Sequence, residues 1–262
     1  MQSEGRVIMK KLLNNALILS FFAASLVAGA QQPVAPKTES DPTLSASTKE
    51  LTRLEAIVDD FGNLKRYAAA NAELPPQTAG RVVFFGDSIT DAWVSNGGTF
   101  FPGKPYVNRG ISGQTTPQML VRYRQDVIDL HPEAVVILGG TNDIAGNTGP
   151  STLEMIEDNM RSMAELAKAN GIRVILASVL PAADYPWRKG LEPAPKIKAL
   201  NQWIANYCAE KKITYLDYYS SMADEVGGMK PGISKDGVHP NAAGYAIMEP
   251  LAQKAIDKVL HK

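Results

Sequence analysis

Ser88, in the run Val82-Val83-Phe84-Phe85-Gly86-Asp87-Ser88-Ile89-Thr90, has the setting of a nucleophile. Two β-branched and two aromatic residues in succession read as a fully buried strand. Gly86 ends that strand and permits a sharp turn. Ser88 then falls just past the strand's carboxyl end, where open α/β sheets carry their sites. A serine hydroxyl is a weak nucleophile until a base takes its proton. The histidines are His131, His239 and His261. His131 precedes Pro132 at a helix end and His261 is penultimate, so both read as surface residues. His239 lies in Asp236-Gly237-Val238-His239-Pro240-Asn241. A carboxylate three residues upstream can hold an imidazole in one tautomer and stabilise its charged form. Taken alone, Asp-Gly is an ordinary turn and His239 a residue that flanks a helix.

An attacked carbonyl develops an oxyanion that needs fixed donors. Two segments after strands offer them: Asn108-Arg109-Gly110-Ile111-Ser112-Gly113 through a glycine N–H, and Gly140-Thr141-Asn142-Asp143 through the Asn142 amide. Glycine and asparagine also favour turns for reasons of their own. Together, four blocks resemble the SGNH (GDSL-type) hydrolases: Gly86-Asp87-Ser88-Ile89, with Ile89 where many members have Leu; Gly113; Asn142; and Asp236 with His239. They occur in family order across residues 80–260, and the surrounding sequence is most similar to the branch near platelet-activating-factor acetylhydrolase subunits and bacterial lysophospholipase-like or sugar-acetyl esterases. The resemblance implies a three-layer, flavodoxin-like fold with a five-stranded parallel sheet in the order 2-1-3-4-5. It also implies Ser88 as nucleophile, His239 as base and Asp236 as its orienter. The oxyanion hole would be the Ser88 N–H, the Gly113 N–H and the Asn142 side chain, and no cofactor is expected.

The elements that must position these residues alternate, which predicts a parallel sheet with helices on both faces. The strands are expected at Arg81–Phe85, Tyr106–Asn108, Ala134–Leu138, Ile172–Ala177 and Ile213–Leu216. A short helix is expected after Ser88. Thr116-Pro117 opens a helix to about Leu130, with Thr116 as cap. Ser151-x-x-Glu154 has the form of a capping box for a helix ending at Asn170-Gly171. Further helices are expected over about 196–211 and from Asn241 to about Leu260. Ahead of the sheet, Leu51, Leu54, Ile57, Val58, Phe61 and Leu64 recur at three and four, predicting one amphipathic helix over Thr48–Ala72 with a weak point at Gly62.

The 262 residues are 45% hydrophobic and 21% charged, with a formal net charge of 0, which suits one α/β domain with extra segments. No basic stripe suggests nucleic acid. Lys10-Lys11, the apolar run Leu12–Val27 and Ala28-Gly29-Ala30 have the form of a signal peptide cleaved after Ala30, with Met9 an alternative start and an uncleaved anchor the competing reading. Cleavage would leave 24 basic and 26 acidic residues, no stable membrane anchor, and a periplasmic or secreted protein. Residues 31–47, rich in Pro, Ser, Thr and Gln, read as a disordered linker before a domain over 48–262 whose first part, 48–74, is a helical extension. Cys208 is the single cysteine, so no intramolecular disulfide forms, and no cysteine near the cleavage site favours a lipid anchor.

Gly98–Pro105 nearly fits a phosphate-binding loop but has Pro105 where a hydroxyl should meet magnesium. No Gly-x-Ser-x-Gly surrounds Ser88, and scattered histidines with one cysteine make no evident zinc site. Asp184, Tyr185, Trp187 and Arg188, in a loop after the fourth strand, are expected to bind a sugar or a phosphate-bearing head group, with simple packing of Trp187 as the alternative. These readings converge on an exported serine esterase for short acyl groups, acetyl first, on carbohydrate or other small esters. The alternatives are a lysophospholipase and a non-catalytic binding protein on the same fold.

Overall fold

A computed structural model describes residues 42–76 and 78–261. The expected signal peptide and residues 31–41 of the expected linker lie outside them. The chain divides at Ser47, and the unit from Thr48 onward contains the sheet and every site residue.

Five parallel strands, β1 (Val82–Gly86), β2 (Tyr106–Gly110), β3 (Ala134–Leu138), β4 (Arg173–Ala177) and β5 (Thr214–Leu216), form one sheet in the order β2-β1-β3-β4-β5. Central β1 pairs Gly86 with Gly110 on one side and with Leu138 on the other. Alternate side chains point to opposite faces of a strand, and the core divides accordingly. Val83, Phe85, Val135, Ile137, Val174 and Leu176 pack beneath three helices: α4 (Thr116–Asp126), α6 (Leu153–Ala169) and α7 (Ala194–Lys211). Val82, Phe84, Val136, Leu138, Ile175 and Leu216 face α9 (Ala242–Leu260). This is the three-layer, flavodoxin-like arrangement. Cys208, in α7, is buried, and desolvation pushes its thiol up to about 12, so it is an inert packing residue.

The remaining helices are α1 (Pro42–Asp59), α2 (Ala68–Ala72), α3 (Ser88–Asp91), α5 (Thr141–Ile144) and α8 (Tyr219–Met222). Several local expectations are corrected. Helix α1 begins at Pro42, so 42–47 are helical rather than linker. The helix expected over 48–72 is two helices, α1 and α2, and the break between them includes the expected weak point at Gly62. Between them the Asp60 carboxylate accepts from Leu64 N at 2.8 Å and Lys65 N at 3.2 Å, closing a turn. Leu51, Leu54 and Val58 consequently stay exposed, Val58 at 82%. Strand β2 continues through Arg109 and Gly110. Thr115, not Thr116, caps α4 and shares a capping box with Gln118, while Thr116 Oγ1 donates instead to Asp143 Oδ1 at 2.6 Å. Helix α4 ends at Asp126, and a separate 3-10 turn covers Ile128–Leu130. Thr152, not Ser151, caps α6.

Candidate active site

Ser88 is the first residue of α3, immediately beyond β1. The turn between them requires Gly86, because a Cβ there would lie 2.3 Å from Thr90 Oγ1 and 2.6 Å from Leu138 O. Asp87 caps α3, accepting from Ile89 N at 3.0 Å.

Ser88 Oγ lies 2.9 Å from His239 Nε2, and His239 Nδ1 lies 2.6 Å from Asp236 Oδ2. The carboxylate fixes the tautomer: Nδ1–H donates to Asp236, leaving the Nε2 lone pair toward the serine hydroxyl. Asp236 is held by its own loop, its Oδ1 accepting from Val238 N at 3.0 Å and His239 N at 2.8 Å. Partial desolvation works to raise the Asp236 carboxyl, but the hydrogen bonds from His239 and Val238 outweigh it and keep the group below its ordinary value. The histidine therefore faces a carboxylate, not a neutral acid.

Gly113 and Asn142 line the same cavity of about 500 Å³ as Ser88 and His239. Gly113 sits at φ 80°, in the left-handed region that favours glycine. Asn142 Nδ2 donates to Gln114 O at 2.9 Å, and its other near neighbour, Asp87 Oδ2, is 3.4 Å away, too long for a good bond. One amide N–H is thus firmly engaged and the other only weakly, so that a better acceptor in the cavity could take it. The structure brings together all five residues expected from the four blocks: Ser88, Gly113, Asn142, Asp236 and His239. Such a constellation can deprotonate a hydroxyl, direct it at a carbonyl and hold the resulting oxyanion.

The loop expected to touch substrate is brought in only partly. Trp187 lines the Ser88 cavity, with its ring 5.9 Å from that of His239 and stacked at 5.0 Å on Tyr185. Tyr185 is fully buried beneath it and is not exposed to a ligand. Asp184 is turned into its own loop, accepting from Tyr185 N at 2.8 Å and Gly190 N at 3.0 Å. Arg188 donates to Ala145 O at 2.9 Å and Gly146 O at 3.1 Å.

Two residues that sequence reasoning missed complete the site. Asn147 accepts from Trp187 Nε1 at 3.2 Å and donates to Asn142 Oδ1 at 2.8 Å, linking the tryptophan to the asparagine. Its one sequence signal is a place five residues after Asn142, which any turn asparagine could share. Arg122, fully buried, donates to Gly86 O at 2.9 Å, Arg109 O at 2.9 Å and Asp126 Oδ2 at 3.0 Å, as well as to Gln114 Oε1. It ties the end of β1 to the loop that carries Gly113. Among the described residues, no group of three or more His, Cys, Asp or Glu side chains is placed to hold a metal ion.

Asp87 carries an electrostatic cost. Desolvation raises its carboxyl to about 6, against the Ile89 hydrogen bond that lowers it. The folded chain then binds this proton more tightly than the unfolded chain does. The stability is fully present below the unfolded value near 4 and is lost as pH rises through about 6. At pH 7 the ionised group costs roughly 3 kcal/mol. Asp87→Asn keeps an acceptor for Ile89 N and removes the charge. It is expected to raise Tm at pH 7.5 by on the order of 5 °C and to have no such effect at pH 3.5. An equal shift at both pH values would refute the account.

The GDSL-like lipase/acylhydrolase family model matches residues 84–247, and the chain belongs to that family. The solved structure of a GDSL-like lipase from Bacteroides thetaiotaomicron is 50% identical, with a TM-score of 0.73 over 76% of this chain and 98% of that one. Esterase TesA of Pseudomonas aeruginosa is 29% identical over 137 residues, and the match spans 52% of this chain and 62% of TesA. An acetylxylan esterase of Geobacillus stearothermophilus is 25% identical over 202 residues, 64% of this chain and 90% of the relative.

Proposed function

We propose that this carboxylic ester hydrolase is an exported serine esterase that removes short acyl groups, acetyl first, from carbohydrate or other small hydroxyl compounds. The observation that carries the reading is the continuous hydrogen-bonded path from Ser88 Oγ through His239 to Asp236, at 2.9 and 2.6 Å. His239 Nε2 takes the Ser88 proton as Oγ bonds to the ester carbonyl. The carbonyl oxygen becomes an oxyanion facing the Ser88 and Gly113 N–H groups and the Asn142 amide. His239 then returns the proton to the leaving alcohol, and an acyl-serine remains. Water, deprotonated by the same imidazole, releases the carboxylic acid and restores Ser88.

The sugar-ester preference is supported by the acetylxylan esterase relative and by the Trp187 ring at the edge of the Ser88 cavity, beside Asn147. Export is supported by the Lys10-Lys11, apolar-run and Ala28-Gly29-Ala30 pattern. The test is hydrolysis of p-nitrophenyl esters from acetate to laurate. Ser88-dependent turnover highest on acetate is the expected result. A maximum at long chains would replace this substrate with a lipid ester, and no turnover by folded protein would leave a binding protein. Asn142→Ala is expected to lower kcat on acetate by about 100- to 1000-fold, the usual effect of losing one oxyanion donor. Near-normal kcat would remove Asn142 from the mechanism.

A further inference from the structure

We propose that the alcohol portion of the ester is an oligomeric, hydroxyl-rich chain, and that the segment joining α1 and α2 is the outer wall of the trough that receives it. This rests on the esterase reading above and specifies the form of its substrate. A second cavity, of about 910 Å³, shares Ser112, Gly113, Asn147 and Trp187 with the Ser88 cavity, so the two adjoin along these residues. Its far side is formed by Arg53 and Ile57 of α1 and by Phe61 and Asn63 of the following turn. Ile57 is half-buried there, whereas Leu54 and Val58 beside it on α1 face outward.

The chemistry gives the trough a direction. His239 must hand its proton to the leaving oxygen, so the alcohol departs on the His239 side. Trp187, its ring 5.9 Å from that of His239, lines both the Ser88 cavity and the trough, and so joins the trough to the His239 side. The lining suits carbohydrate: the Trp187 and Phe61 rings can cover C–H faces, while the exposed Arg188 guanidinium offers donors to hydroxyls. A long acyl chain would be poorly served, because Asp59, Asp60 and Lys65 also border the space.

The wall is anchored. Gln118 Nε2 donates to Phe61 O at 2.9 Å, Gln114 Nε2 to Gly62 O at 2.9 Å, and Gln125 Nε2 to Leu64 O at 2.7 Å. Three side-chain amides from α4 and the Gly113 loop thus grip three carbonyls of one turn. Further along, Asn71 Nδ2 donates to Asp126 Oδ1 at 2.8 Å and accepts at Oδ1 from Arg109 Nε at 2.7 Å. A surface fixed in this way can hold one side of a substrate without an ordering cost at each binding event.

The experiment compares acetylated xylose oligomers, from one to six sugars, with p-nitrophenyl acetate. It uses the full chain and the variants Ile57→Trp, which fills the trough, and Phe61→Ala, which strips its wall. In the wild type, kcat/KM should climb by about tenfold or more with sugar number, chiefly through KM. Both variants should flatten that climb to within about threefold when each rate is divided by the same protein's rate on p-nitrophenyl acetate. Three results would overturn the proposal with the esterase reading intact: no dependence on sugar number in a wild type active on p-nitrophenyl acetate, a climb with acyl length instead, or an undiminished climb in both variants. Absence of any Ser88-dependent ester hydrolysis would overturn the esterase reading itself, and this one with it.

Discussion

Ser88→Ala is expected to lower kcat on p-nitrophenyl acetate by about 10⁵- to 10⁶-fold while leaving Tm within a degree or so of wild type. The change removes one hydroxyl whose hydrogen-bond partner is His239 Nε2, at 2.9 Å. That nitrogen lines an open cavity, so its loss of a partner strands no buried group. The backbone N–H of residue 88 is kept, as are Gly113 and Asn142. Binding and oxyanion stabilisation therefore persist, and the variant should retain the residual rate over water that such groups supply, about 10³- to 10⁴-fold. The measurement is a steady-state rate beside a thermal melt. A variant within tenfold of wild type would show that the hydroxyl is not the attacking group, whatever its neighbours suggest.

Asp236→Asn is expected to cost about 10⁴-fold in kcat, out of proportion to the one atom exchanged. The reason lies in the loop. Oδ1 of residue 236 accepts from the backbone N–H groups of Val238 and His239, so an asparagine must keep its oxygen there. Its NH₂ then occupies the Oδ2 place, 2.6 Å from His239 Nδ1, and can only donate. Nδ1 is forced to accept and the ring proton moves to Nε2, which then faces Ser88 with a hydrogen where a lone pair is needed. Asp236→Ala removes the orienter without imposing the wrong tautomer, so it should be no worse than the asparagine variant and should differ in which ring nitrogen carries the proton. Imidazole ¹⁵N shifts of the two variants would show this. An asparagine variant with the wild-type tautomer and near-wild-type turnover would sink the role given to Asp236.

The parts of this molecule visible before its structure share a property: they depend on short stretches. The runs Val82–Phe85 and Ala134–Leu138 are wholly buried because β1 and β3 sit mid-sheet with helices on both faces. Asp236 and His239 are three residues apart and bond within one loop, so spacing alone put them together. The strand order came from resemblance to a family, since alternation of strands and helices does not determine which strands are neighbours. The caps of α4 and α6 were each misplaced by one residue for a single reason: Thr115-Thr116 and Ser151-Thr152 offer two adjacent hydroxyls. At α4 the tie is broken by Asp143, which engages Thr116 from a different loop. The apolar stripe of α1 misled more seriously, because the turn at Asp60 leaves most of it uncovered among the described residues. Arg122, Asn147 and the three glutamines were invisible because their importance lies in partners distant in sequence, such as Gly86 for Arg122 and Gly62 for Gln114.

Ser88 and His239 are separated by 151 positions. The segment bearing His239 is fastened beside Ser88 late in the chain, by Tyr245 Oη donating to Ile89 O at 2.8 Å and Asn96 Nδ2 donating to Pro240 O at 3.2 Å. All five strands precede that segment. A ribosome would therefore have released the entire sheet before any base could reach the serine, because chains emerge amino end first. Turnover is consequently a clock for the closing event of folding. On refolding from denaturant, recovery of hydrolysis should follow the docking of α9 and never run ahead of it, even if far-ultraviolet circular dichroism recovers sooner. A chain stalled before residue 232 would be inert, and the hydrolase would come into being only once the His239 segment and the start of α9 have docked on Ile89 and Asn96.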